Sequence, residues 1–108
     1  MKVFLNSTRI GVAAVGEYNP ETKELLVLAG SVLSSDVSKS PTFRGAKSIV
    51  KQREGIIENN LLLRDVSFKS PSTAANFLTG RSANGLIAWK DSQNRTLKEI
   101  FSSKEVGI

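Results

Sequence analysis

The step Ser70-Pro71 constrains this chain more than any other pair of residues. Proline fixes φ near the helical value and lacks a backbone N–H, so it suits the first position of a helix and disrupts the interior. A serine just before it can accept a hydrogen bond from a free N–H of the first turn. The pair therefore predicts a helix opening at Ser70. Ala74, Ala75, Phe77 and Leu78 give that helix an apolar face, and the alanines are small enough to let it sit close to a sheet. Gly80 is placed to end it in the left-handed conformation. Asn84-Gly85 then predicts a turn. Leu86 to Lys90, carrying the single tryptophan at Trp89, predicts a short strand.

The preceding chain supplies a surface for that helix. Val3-Phe4-Leu5 predicts an edge strand, and Arg9 to Tyr18 a second strand with bends at its glycines. Asn19-Pro20-Glu21-Thr22-Lys23 is turn chemistry. Glu24 to Leu33 is apolar almost throughout and predicts a central strand, completing an antiparallel hairpin. From Thr42 to Glu54, Phe43, Ala46, Ile49 and Val50 recur at helical spacing, with Arg44, Lys47 and Lys51 mostly on the other side. Thr42 can cap this basic helix and Gly55 can close it. Ile56-Ile57-Glu58 and Leu61-Leu62-Leu63, joined by Asn59-Asn60, predict a tight second hairpin, because asparagine tolerates the positive φ such turns need. Thr96 to Phe101 predicts a final helical turn, followed by a frayed tail over 102–108. The expected fold class is α+β: a small antiparallel sheet of two hairpins plus a Trp-bearing strand, packed with two to three short helices, in one domain over residues 1–101.

Composition narrows the chemistry. At 108 residues the chain has room for one modest core. It has no cysteine and no histidine. Disulfides, thiolate or imidazole metal sites, and His- or Cys-based catalysis are thereby excluded. No apolar run reaches the roughly 18 residues of a membrane helix, and the start of the chain turns polar too soon for a signal peptide. A cytoplasmic, membrane-free, monomeric protein is the expectation. The net charge is +5, and it is unevenly placed: residues 39–64 hold six Lys or Arg against two Glu. A basic segment of this kind suits a polyanion, or is simply a solvated surface.

Catalytic constellations are absent from the pattern. Glu54 and Glu58 are four apart, but Gly55 separates them. Asp65 and Asp91 stand singly, so ion-paired surface carboxylates are the simpler account. A Ser-Lys pair of Ser70 with Lys69 or Lys90 is conceivable, but nothing in the spacing favours it over capping. Gly80-Arg81-Ser82-Ala83-Asn84-Gly85 lacks the Lys-Ser/Thr that completes a phosphate-binding loop. No cofactor and no metal are expected. Lys69, Ser70, Ser72 and Thr73 crowd one helix start, where free N–H groups suit a phosphate. Arg81, Ser82, Asn84 and Lys90 follow, and arginine and asparagine are side chains that read base edges. The plainer account of the same residues is a well-capped helix beside two solvated cations. Trp89 is expected in the core, with base stacking open only to an exposed ring.

Taken together, Val27-Leu28-Ala29-Gly30-Ser31, Glu54-Gly55-Ile56-Ile57, Phe68 to Ala75, Gly80 to Gly85, Trp89-Lys90 and Leu97 resemble a bacterial family described only as a domain of unknown function. That family often forms the C-terminal part of GIY-YIG nuclease-like and restriction–modification proteins. The chain is also similar to the RAMA (restriction enzyme and adenine methylase associated) domain, which shares the Ser-Pro-Ser helix start, the later Asn-Gly and the Trp. The family commonly places an aromatic residue after Asn-Gly, where this chain has Leu86.

The resemblance implies a DNA-linked accessory module, and the leading expectation is a non-catalytic accessory domain that binds DNA, modified DNA included, beside a nuclease or methylase domain of the same parent protein. Lys69, Ser70, Ser72 and Thr73 are then expected to hold phosphate. Arg81, Ser82, Asn84 and Lys90 would orient or read the nucleic acid, and Arg44, Lys47 and Lys51 would add non-specific attraction. The alternative is a structural or protein-interaction module with no nucleic-acid contact.

Overall fold

The computed structural model of the chain describes residues 1–34, 51–81 and 83–106, the last five by backbone alone. Its strands are β1 (Lys2–Ser7), β2 (Val12–Tyr18), β3 (Leu25–Val27), β4 (Ile57–Glu58), β5 (Leu61–Leu62) and β6 (Val66–Phe68). Its helices beyond residue 70 are α1 (Pro71–Thr79), α2 (Gly85–Ala88) and α3 (Leu97–Val106). The main sheet is antiparallel in the order β1-β2-β3-β6, and β4 pairs with β5 in a separate hairpin. The α+β expectation holds.

Alternation explains how the sheet is used. Val3 and Leu5 on β1, Val12, Ala14 and Tyr18 on β2, and Leu25 and Val27 on β3 are buried, while Lys2, Asn6, Ala13 and Glu17 are exposed. One face is therefore core and the other meets solvent, as the period of two requires. The helix α1 packs on the core face, against β2, β3 and β6. Ala74, Ala75, Phe77 and Leu78 are fully buried there. The small alanines bring the helix close, and Phe77 meets Phe68 of β6 with ring centroids 5.0 Å apart. Trp89 and Leu97 close the other side of this core. Each fully buried large apolar side chain contributes about 1.5–3 kcal/mol, so this layer dominates the fold's stability.

The turns follow the residues that demand them. Asn59 and Asn60 have φ of 53° and 65°, the mirror-image geometry of a two-residue hairpin. Asn19 Oδ1 accepts from the N–H groups of Glu21 and Thr22, fixing the β2–β3 turn.

Three expectations change. The apolar stretch from Glu24 to Leu33 is not one strand: β3 ends at Val27 and the chain turns at Ala29-Gly30. The Ser31 hydroxyl donates to Leu28 O (2.8 Å) and accepts from Val15 N (3.1 Å), holding that turn against β2. Val32 then bridges Ala13 on one side and Leu61 on the other, stitching the β4–β5 hairpin to the main sheet. Second, Leu86 to Lys90 is not a strand. Its first residues belong to α2, and only Lys90 keeps bridges, to Phe4 and to Thr96. Third, the last helix runs past Phe101 to Val106. The predicted helix over Thr42–Glu54 falls mostly outside the described residues; residues 51–53 are helical, and the backbone turns through 54–56.

Candidate nucleic-acid interface

Ser70 is the N-cap of α1, with an extended backbone, and its Oγ accepts from Thr73 N at 3.2 Å. Pro71 stands at the first helical position. The Thr73 hydroxyl lies 2.9 Å from Ser70 Oγ, so the two hydroxyls partner each other. Ser72 turns toward the next element: its Oγ accepts from Gly85 N at 2.9 Å. The helix start is thus closed on one side by the start of α2.

That closure depends on Gly85. A Cβ built there would fall on the Pro71 carbonyl carbon and on Ser72 N, both backbone atoms that cannot swing aside. The absence of a side chain lets two backbones touch. Asn84 precedes it as the N-cap of α2, its Oδ1 accepting from Leu86 N at 3.1 Å. Trp89 follows α2, is fully buried, and donates from Nε1 to Pro71 O at 3.0 Å. Its ring is core, as the safer expectation had it, and cannot stack on a base.

The other end of α1 is equally well closed. The last four carbonyls of a helix lack partners within it. Here Gly80, left-handed at φ 71°, donates its N–H to Asn76 O. Phe77 O accepts from Arg53 Nη2 at 2.7 Å and Nε at 3.2 Å. Leu78 O accepts from Ser34 N, and Thr79 O from the Ser34 hydroxyl at 2.8 Å. Arg53 Nη1 also donates to Ser34 O, and its guanidinium lies 5.8 Å from the centre of the Phe77 ring. Burial pushes its pKa below the ordinary arginine value. The helix's negative end compensates the buried charge. Sequence reasoning counted Arg53 only in a basic segment; nothing local reveals partners 19 and 24 residues away.

The expected interface residues therefore separate by role. The oxygens of Ser70, Ser72, Thr73 and Asn84 are engaged in caps and cross-links. Lys51, Lys69 and Arg81 are exposed and Lys90 is half-buried, and none of the four forms an ion pair among the described residues. Arg44, Lys47 and Ser82 lie outside the described residues. The structure brings Ser72 and Asn84-Gly85 together at one end of α1 and leaves Arg81 beyond the other. Beside Asn84, Leu86 and Ile87 are 43% and 49% exposed.

No group of three or more metal-ligating side chains occurs among the described residues, and no helix there is long and apolar enough to cross a membrane. No curated protein matches the chain, and no solved structure does. A family model does match, over residues 3–101, which takes in the capped helix, the Asn-Gly step and the buried Trp. The chain thus belongs to the family described as a domain of unknown function, DUF4357.

Proposed function

We propose that the chain is a non-catalytic nucleic-acid-binding accessory domain, acting on DNA, with modified DNA included, within a larger restriction–modification or nuclease-like protein. The observation that carries this reading is the set of unpaired cations. Among the described residues the ion pairs are Met1 with Glu17 and Arg95 with Asp91, which leaves Lys51, Lys69, Arg81 and Lys90, along with Lys2, Arg9, Lys23, Arg64 and Lys98, free to meet an external anion. The hydroxyls of Ser70, Ser72 and Thr73 have a different part in it: they hold the backbone that carries Lys69 and Lys90. Titration with duplex DNA at low salt should move amide signals of residues 69–90. Each phosphate neutralised contributes about 0.9 to the slope of log affinity against log salt, so three or four contacts give a slope of about −3. If no amide in that range moves, the reading fails.

A protein-interaction module is the second reading. Leu86 and Ile87 favour it, being adjacent, apolar and exposed at the start of α2. Under it, DNA leaves the spectrum unchanged, and substituting Leu86 and Ile87 by polar residues abolishes docking on the parent protein's other domain.

A further inference from the structure

The outer face of the sheet offers something the capped helix does not. On β1, Val3 and Leu5 point into the core, so Lys2, Phe4 and Asn6 lie on the opposite face. Lys90 pairs directly with Phe4: Phe4 N donates to Lys90 O at 2.7 Å and Lys90 N to Phe4 O at 2.9 Å. Residues opposed in this way carry their side chains on the same face. Phe4 is half-buried, whereas Tyr18, Phe68, Phe77 and Trp89 are all core residues.

Phe4 lines a hollow of about 310 Å³ with Asn6, Asp91, Ser92 and Asn94. Asn6 and Asn94 stand at the edge between it and a second hollow of about 290 Å³, which opens toward the helices and is walled by Leu5, Thr79, Ile87 and Lys90 but not by Phe4. Both asparagines are exposed, and their side-chain amides make no hydrogen bond among the described residues. Asp91 is the one carboxylate at either hollow, and its charge is offset by Arg95 at 2.9 Å.

We propose that the Phe4 hollow is a trough that receives an unpaired nucleobase, stacked on the Phe4 ring, its edge met by the side-chain amides of Asn6 and Asn94, with the phosphate outside the hollow met by Lys90 across the Phe4–Lys90 pairing. The inference rests on the nucleic-acid reading and adds a preference to it. An aromatic ring on an open sheet face stacks on bases that are free of a duplex. A carboxamide presents donor and acceptor side by side, as a base edge requires. A cation without a carboxylate partner completes the match to a nucleotide.

Fluorescence anisotropy with a labelled deoxyadenylate oligomer and a labelled mixed-sequence duplex tests it. The wild type should bind the single strand more tightly than the duplex. Phe4→Leu keeps an apolar side chain yet should weaken single-strand binding about tenfold, the scale of one lost stack, and leave duplex binding unchanged. Asn6→Ala combined with Asn94→Ala should act in the same direction without touching the ring. If both variants bind the single strand like wild type, while Lys69→Ala with Arg81→Ala weakens the duplex, the trough is not a base site and the broader reading stands. If neither oligomer binds the wild type, both readings fall. If an acidic peptide and no oligonucleotide shifts the Asn6 and Asn94 signals, the trough is a peptide site and the inference falls.

Discussion

Arg53 reaches Phe77 O with two guanidinium nitrogens, at 2.7 and 3.2 Å, and so caps a helix to which it does not belong. The last turn of α1 holds no basic residue of its own. Removing the guanidinium by Arg53→Ala should strand the Phe77 carbonyl in a buried setting and cost about 1.5–3 kcal/mol, the range for hydrogen bonds to a charged group. Lysine cannot reproduce the planar fork, so Arg53→Lys should recover only part of the loss. Urea denaturation measures both. Because this half-buried guanidinium is engaged by backbone carbonyls, neither variant should change the salt dependence of the DNA binding proposed above.

Gly85 is the second point of leverage. Its alanine variant places a methyl group on the backbone of Pro71 and Ser72. Separating α1 from α2 to admit it should cost about 3 kcal/mol, the upper range for overpacking. Ser72→Ala probes the same junction gently: it removes the acceptor for Gly85 N and should cost about 1 kcal/mol. Thermal melts should rank the two in that order. A Gly85→Ala protein as stable as wild type would mean that the two backbones do not meet.

Trp89 reports on the same junction spectroscopically. Its ring is fully buried and its Nε1–H is bonded to Pro71 O. Emission should therefore be blue-shifted, resistant to acrylamide, and unchanged when DNA is added. Trp89→Phe keeps most of the apolar burial but removes the indole hydrogen bond to Pro71 O, at a cost of about 0.5–1.5 kcal/mol. Quenching of Trp89 by an oligonucleotide would contradict the burial directly.

Local chemistry made some of these elements legible and left others hidden. Ser70, Pro71 and Gly80 each act within a few residues of their own position, and all three do what their side chains dictate. Asn59-Asn60 likewise contains its turn. The stretch Leu86 to Trp89 is four apolar residues, too short for periodicity to separate strand from helix. What decides it is the Asn84 side chain, which caps Leu86 N and starts a helical turn. Glu24 to Leu33 reads as one strand because both its halves are apolar. It is two segments because Ser31 bonds back to Leu28 and Val15. The exposed cations at Lys69 and Arg81 follow from residue type, whereas Phe4, Asn6 and Asn94 meet only through the Phe4–Lys90 pairing, which no local pattern announces.

Acid should loosen the loop that carries Asn94. Asp91 Oδ1 accepts from Arg95 N (2.9 Å) and Gln93 N (3.0 Å), and its Oδ2 faces the Arg95 guanidinium. The backbone bond from Arg95 is the largest influence, and together with the neighbouring positive charge it holds the carboxyl below its ordinary value. A carboxylate whose folded-state pKa is depressed stabilises the fold above the unfolded value, about 3.9, and that contribution fades as pH falls through the lower folded value. Wild-type stability should therefore carry an Asp91 contribution at neutral pH that starts to decline below about pH 4 and is lost as pH falls through the lower folded value. Asp91→Asn should be less stable than wild type at neutral pH, and the gap should close on acidification. Denaturation midpoints across that range decide it, and a gap that stays constant with pH would show that the loop does not depend on the charge. Since Lys90 and Thr96 bridge across the base of this loop, the amide of Asn94 should shift over the same acidic range.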